Sequence, residues 1–433
     1  MKRPILLFGL MLTTFQLTVA QTRTPVRTAP LTATLPESAG MSTERLARIT
    51  DMLENSVREG EIPGAVALVA RNGKIVYWNA FGMADNPDAR ALQRDDIFRI
   101  ASQTKAVTAT AVMMLWEQGK FQLDDPVSKY IPAFRATGVL KDFRYADTSW
   151  TVTPVERDIT IRHLLNHTSG LGYGVIDADE RFRMMYHKAG VTDLFTSEDI
   201  TIEESVRKLA TLPLHHQPGT RYTYSEGLDV LGYLVEVVSG VTFDVFLKQH
   251  LFDPLGMTDT YFYLPADKAG RLVSVQRPAA GGWERYPTTF YDTDYPVKGA
   301  RRFFSGGAGL CSTAKDYATF LQLYLNGGTL NGVRLLSRTT VDLILANQTG
   351  DLFSWGGGDK YFSLAFGVVT EAGQARGGLG SEGTFDWGGY FNTQYFADPK
   401  EGLIGILMKQ TQQLPADQTG WKFRQLVFQS IDD

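Results

Sequence analysis

Phe98-Arg99-Ile100-Ala101-Ser102-Gln103-Thr104-Lys105 runs straight into Ala106-Val107-Thr108-Ala109-Thr110-Ala111-Val112-Met113-Met114-Leu115, a continuation without a charge or a helix breaker. A helix that is apolar on every face belongs in the interior of a protein. Gly119 supplies its stop, and Asp124-Asp125-Pro126 follows as a turn. The pattern predicts a buried helix starting at or near Ser102, with the rest of the chain packed around it.

A hydroxyl at a helix N-terminus faces unpaired N–H groups and the positive end of the dipole, both of which favour developing negative charge. Lys105, three residues on, shares its helix face. An ammonium pressed into a water-poor interior loses its proton more easily, or stays charged and lowers the pKa of a neighbouring acid. Serine needs a partner of this kind to become a nucleophile. Ser-x-x-Lys is nonetheless a common pattern, expected on the order of once or twice in a chain this long. Two further copies occur, Ser205-Val206-Arg207-Lys208 and Ser312-Thr313-Ala314-Lys315. Ser205 follows Glu203-Glu204 and reads as part of a solvated helix face. Ser312 reads as the N-cap of a helix carrying Tyr317, Phe320, Leu321 and Tyr324 at helical spacing.

Composition narrows the class. The chain has 433 residues, 43% of them hydrophobic, which is core enough for one large domain or two lobes. A net charge of −4 with no block of like charge argues against nucleic acid and anionic membranes as partners. Residues 1–20 read as an export signal: Lys2 and Arg3, an apolar stretch over residues 5–11, and Thr18-Val19-Ala20 before the cut. Residues 21–35 read as a mobile leader, and no later run is apolar enough to serve as a stable membrane anchor. The expected location is periplasmic or secreted. Cys311 is the only cysteine, so no internal disulfide can form, and its small-residue surroundings suit a buried, inert packing role.

Along the chain, a helix is expected from near Ser42, with Leu46, Ile49, Leu53 and Val57 on one face. A hairpin follows, Ala65-Val66-Ala67-Leu68-Val69-Ala70 and Ile75-Val76-Tyr77-Trp78 flanking Asn72-Gly73. Residues 106–257 are mostly helical in pattern, including Leu228, Leu231, Val235 and Val238 before Ser239-Gly240. Residues 261–304 read as loops and lids. Strands are expected over residues 362–369, 390–396 and 403–408, the last two joined by Asp398-Pro399-Lys400-Glu401-Gly402. The resulting fold class is α+β: an α/β sandwich lobe (about residues 36–100 and 300–433) whose antiparallel sheet is formed by both termini, with an inserted, mainly helical lobe (about 101–299). Residues 36–433 would make up the whole hydrolase domain.

A Ser-Lys site also needs a proton acceptor, an oxyanion hole and a substrate-shaping wall. Tyr222-Thr223-Tyr224-Ser225-Glu226 sits in a turn leading into the Leu228 helix, where a phenol beside an ammonium can act as a base. Phe385-Asp386-Trp387-Gly388-Gly389-Tyr390 precedes an edge-like strand, and its two glycines leave backbone N–H groups open to a ligand. Read alone, the first segment fits a core tyrosine better than a base, and the second is as consistent with a simple strand-entry bend.

Ser102-Gln103-Thr104-Lys105, Tyr224-Ser225-Glu226 and Trp387-Gly388-Gly389 together resemble, in order and rough spacing, three motifs of one superfamily. The chain resembles the class C β-lactamase and penicillin-recognising serine hydrolase family, with its β-lactamase/transpeptidase-like fold, and in motif its family VIII carboxylesterase branch above all. Residues 161–171, 119–132 and 307–316 support the match. The resemblance implies Ser102 as nucleophile, Lys105 as its activating partner, Tyr224 as general base, and the backbone N–H groups of Ser102 and Tyr390 as oxyanion hole. It also implies Trp387, Gly388, Gly389 and Glu226 as substrate-binding residues, an acyl-serine intermediate, and no cofactor. Trp387 departs from the lysine usual in lactamases; it can pack an apolar group but cannot neutralise a carboxylate. Glu226 departs from asparagine, and would either disfavour anionic substrates or orient Lys105.

The expected activity is therefore a carboxylesterase on small neutral esters. β-Lactamase or D-amino-acid peptidase or amidase activity is the alternative within the family, and a non-hydrolysing penicillin-binding-type receptor the alternative outside hydrolysis. No Gly-x-Ser-x-Gly occurs, which leaves an α/β-hydrolase nucleophile elbow unsupported. His163 and His167 stand four apart, but no glutamate and no third ligand accompany them, so no metal is expected. His167 is expected to help a turn with Ser169-Gly170.

Overall fold

The computed structural model describes residues 31–353, 356–414 and 417–433. The expected export signal and residues 21–30 of the leader lie outside them, while residues 31–35 are not mobile leader: Thr32–Ala33 pairs with Lys74–Ile75.

The first hairpin forms where Asn72-Gly73 demanded it. β1 (Thr32–Ala33) precedes β2 (Gly64–Arg71) and β3 (Lys74–Asp85), and the turn residues Asn72 and Gly73 have φ of 54° and 74°, as a type I′ turn requires. β4 (Arg90–Ala91) pairs with β3. The C-terminal third supplies β5 (Lys360–Phe362), β6 (Gly367–Val369), β7 (Phe385–Gly388), β8 (Gln394–Asp398) and β9 (Leu403–Met408). β9 pairs with β2, closing a sheet of order β1-β3-β2-β9-β8-β7-β6-β5. Only β1 runs parallel to its neighbour; the other pairings are antiparallel.

β2 is buried at every residue because both faces of the sheet are covered. Ala65, Ala67 and Val69 pack under α1 (Thr43–Arg58) and the C-terminal helix, and Val66, Leu68 and Ala70 face the main core. Ser42 caps α1 by accepting the Arg45 N–H at 3.2 Å, as its sequence position predicts. The main core is built on α2 (Thr104–Glu117), α3 (Gly227–Ser239) and α4 (Ala314–Leu325). The C-terminal helix, α5 (Thr419–Phe428), lies beside α1, and the chain ends are stitched together by Ser42 N–H to Ser430 O (2.8 Å) and Asp432 N–H to Gly40 O (3.0 Å).

Several expectations are corrected. The segment 362–369 is two short strands, β5 and β6, because Ser363 turns the chain by donating its N–H to Phe366 O at 2.8 Å. Residues 389–393 are the turn between β7 and β8, so β8 starts only at Gln394, and it is an interior strand with a neighbour on each side, not an edge. The helical region carries two hairpins, Gly138–Arg144 with Ser149–Pro154 and Gln276–Ala279 with Gly282–Arg285; both are largely exposed, so their apolar signal was faint. Thr313, not Ser312, caps α4, while Ser312 lies in a two-residue strand bonded to Thr260 Oγ1 at 2.8 Å. Ser205 is buried, its hydroxyl donating to Thr192 O at 3.1 Å. Cys311 is fully buried in the strand paired with Phe98–Arg99. Among the described residues no single helix is long and apolar enough to cross a membrane.

Asp316 in the first turn of α4 accepts the Asp259 N–H (2.7 Å) and the Thr260 hydroxyl (3.0 Å), yet burial pushes its carboxyl up to about 6. Its unfolded value lies near ~3.9. The stability linked to its proton is therefore full below pH ~4 and is lost as pH rises through about 6, a change of about 3 kcal/mol. Asp316→Asn is expected to flatten this descent in a urea-unfolding series between pH 4 and 7.

Candidate active site

Every residue from 98 to 115 is buried except Ser102. A three-residue 3₁₀ turn, Ala101–Gln103, feeds into α2 and lifts that one hydroxyl out of the core. Ala101 carries a left-handed φ of 43°, a conformation costing an alanine about 1–3 kcal/mol and characteristic of sites whose surroundings over-determine the backbone. The surroundings here are explicit. Ile100 N–H donates to Leu310 O at 3.0 Å, Leu310 N–H to Thr104 Oγ1 at 3.1 Å, and the Tyr317 hydroxyl to Gln103 O at 3.0 Å.

Lys105 projects from the first turn of α2 and is 3% exposed. Its Nζ donates to Ser102 Oγ at 3.2 Å and to Gly307 O at 2.8 Å. The ammonium lies over the ring of Tyr224, 4.6 Å from the centroid, and 5.5 Å from that of Tyr173. Tyr224 is half-buried, and its hydroxyl oxygen accepts the indole N–H of Trp387 at 3.3 Å. The three polar side chains expected to converge do so: Lys105 touches both Ser102 and Tyr224, and Ser102 and Tyr224 line the same cavity.

That cavity has a volume of about 480 Å³ and is walled by Phe353, Trp387, Gly388 and Gly389 besides Ser102 and Tyr224. Gly389 is required for its shape. A Cβ there would stand 2.5 Å from the Ile100 carbonyl oxygen and 2.2 Å from Thr393 Oγ1, so only glycine lets the end of β7 press against the nucleophile turn. No acceptor among the described residues binds the N–H of the next residue, Tyr390. The Tyr390 ring faces away from the cavity, into a cluster with Phe195, Tyr291 and Phe391. Behind Trp387, Asp386 accepts Lys360 Nζ (2.7 and 2.6 Å) and Arg424 Nη1 (2.6 Å), tying β5, β7 and α5 together. Burial opposes its charge, but these cations hold the Asp386 carboxyl below its ordinary range.

Glu226 is corrected: it does not face the cavity. The residue is 2% exposed, and burial followed by the nearby Asp193 and Asp229 pushes its carboxyl far above the ordinary range, so it carries a proton and no charge toward substrate. The role expected of His167 is also larger than a turn. Its ring lies 4.6 Å from that of Tyr224, and Nδ1 accepts the Ser225 N–H at 3.3 Å, which leaves the ring proton on Nε2. Burial, then the Lys105 charge, push its pKa well below the usual value, so it is a neutral platform for Tyr224. His163 instead closes a capping box at Thr160. Among the described residues no group of three or more His, Cys, Asp or Glu could hold a metal.

Sequence reasoning missed Tyr173, Asp229 and Gly307. Asp229 had a signal: it is the carboxylate within the buried stretch 227–235 of α3.

The arrangement can perform nucleophilic acyl transfer. The family model described as Beta-lactamase matches residues 49–429. Protein Rv1367c of Mycobacterium tuberculosis is 35% identical over 370 residues, covering 82% of this chain and 88% of its own. Esterase EstB of Burkholderia gladioli is 32% identical over 387 residues, covering 84% and 90%. Among solved structures, EstCE1, described as a hydrolase with promiscuous acyltransferase activity, superposes with a TM-score of 0.77 at 28% identity, covering 89% of this chain and 99% of that one. The buried helix, the Ser-x-x-Lys turn and the sheet closed by both termini are accounted for together, because the chain belongs to the Beta-lactamase family and is a serine hydrolase.

Proposed function

We propose that this protein is an exported carboxylesterase acting on small neutral esters through a Ser102–Lys105–Tyr224 site. The observation that carries the reading is Trp387. Where a lactamase presents an ammonium to its substrate's carboxylate, this cavity presents an indole whose N–H is already spent on Tyr224. The wall beside Ser102 is aromatic, suited to an apolar acyl or alcohol group, and the charged residues that also line the cavity, Lys360, Asp386 and Arg424, are paired with one another. EstB and EstCE1, an esterase and a hydrolase by name, support the same reading.

In this mechanism the Tyr224 oxygen, held beside the Lys105 ammonium, takes the Ser102 proton as Oγ forms its bond to the ester carbonyl carbon. The carbonyl oxygen becomes an oxyanion held by the N–H groups of Ser102 and Tyr390. Collapse breaks the bond to the alcohol oxygen, which leaves with the proton from Tyr224. Water then repeats the sequence on the acyl-serine, and the acid is released.

Ser102→Ala is expected to cut hydrolysis of short-chain aryl esters about 10⁴-fold or more. Intact-mass analysis of the parent should catch an acyl adduct on Ser102, and a chromogenic cephalosporin turned over faster than the esters would overturn the ester assignment. Gly389→Ala, which must separate Tyr390 N–H from the nucleophile turn, should lower kcat about 100-fold while leaving the circular dichroism spectrum intact. For export, the mass of the protein recovered outside the cytoplasm should correspond to a chain starting at Gln21.

A further inference from the structure

On the side of Lys105 away from the cavity lies a group of buried acids to which the reaction as written gives no task. The Gly307 carbonyl that receives the ammonium is itself suspended from one of them: Gly307 N–H donates to Asp229 Oδ1 at 3.2 Å. The same carboxylate oxygen receives the Ser305 hydroxyl at 2.6 Å, and Ser305 Oγ in turn accepts the Ala308 N–H at 3.0 Å. Asp229 is 4% exposed, and its second oxygen, Oδ2, has no hydrogen-bond partner among the described residues. It lies against Gly307, where a Cβ would come within 2.4 Å of it and 3.4 Å of the Tyr173 hydroxyl.

The groups facing Lys105 come from every element around it. Ser102 and the Tyr224 and Tyr173 rings touch it, and His167 stands neutral behind Tyr224. The start of α3 brings Glu226 and Asp229, and residue 193 brings Asp193. Glu226 Oε1 and Asp193 Oδ1 have no hydrogen-bond partner among the described residues, and burial, then the charge of Asp193, raises the Glu226 carboxyl well above its ordinary range.

We propose that Asp229 is the positioning residue of the nucleophile's lysine: its carboxylate is the countercharge of the buried ammonium, and through Gly307 it fixes Nζ against Ser102 Oγ. The Ser305 hydroxyl and the Gly307 N–H keep that carboxylate aimed. This inference rests on the Ser102–Lys105 pair being the nucleophilic centre.

A purely structural Asp229 would also pin the loop of residues 305–308, so the test must read charge. Asp229→Asn keeps the shape and the acceptor oxygen and removes the charge. The readout is the second-order rate of Ser102 labelling by a fluorophosphonate from pH 5 to 10, beside kcat for an aryl ester. With one negative charge gone from beside the Ser102–Lys105 pair, the profile should move down by about one pH unit. The rate at its maximum should fall about 10-fold with KM little changed. An Asp229→Asn profile superimposable on the parent's overturns the proposal. Should that variant not fold, Ser305→Ala removes the shortest donor to the carboxylate, which then takes a proton at higher pH. Its acid limb must move upward, and an unmoved limb overturns the proposal equally. Labelling without ester turnover in the parent would count against the substrate assignment and leave this test standing.

Discussion

The structure is organised by the requirement that one lysine amine be given polar partners where almost no water reaches it. An ion withdrawn from water costs several kcal/mol unless its surroundings replace the lost hydration. Lys105 receives that replacement from a carbonyl, a hydroxyl and two phenol faces. Each comes from a different part of the chain, so each must be fixed by its own packing. α2 has to be apolar on all sides because the sheet and the helices enclose it, and that enclosure is what keeps the lysine dry.

Precision at the site is obtained by setting backbone against backbone. Ala101 accepts a left-handed conformation so that Ser102 can leave the core, and Gly389 gives up a side chain so that β7 can meet the turn directly. Both arrangements use rigid elements rather than long side chains, whose rotamer freedom would blur the geometry. Trp387 completes the set by joining the wall of the cavity to the phenol with a single hydrogen bond.

Features governed by local rules were legible in the sequence. The Asn72-Gly73 turn, the Ser42 cap, the unbroken apolar run of α2 and the glycine that closes α3 each follow from a few neighbouring residues. The convergence of Ser102, Lys105 and Tyr224 came from motif resemblance, since no spacing rule brings residue 224 to residue 102. What stayed hidden depended on long-range packing. Glu226 was read as facing substrate, whereas burial turned it into a neutral acid behind the lysine. Ser312 lost its capping role to Thr313 because pairing with Phe98 fixed it in a strand. The strands near residues 362–369 and 390–396 were misplaced because their breaks are made by hydrogen-bonded turns that carry no proline.

The pairing of β2 with β9 also sets a condition on how the molecule comes into being. Arg71 and Glu401, at one end of that pairing, are 330 residues apart in the chain. The hairpin made early in synthesis therefore has an open edge until nearly the whole polypeptide has emerged, and a loop of that length is slow to close. During that interval the nascent chain has no finished sheet. Completion of the sheet is tied to arrival of the last strand, whatever the N-terminal half has formed by then.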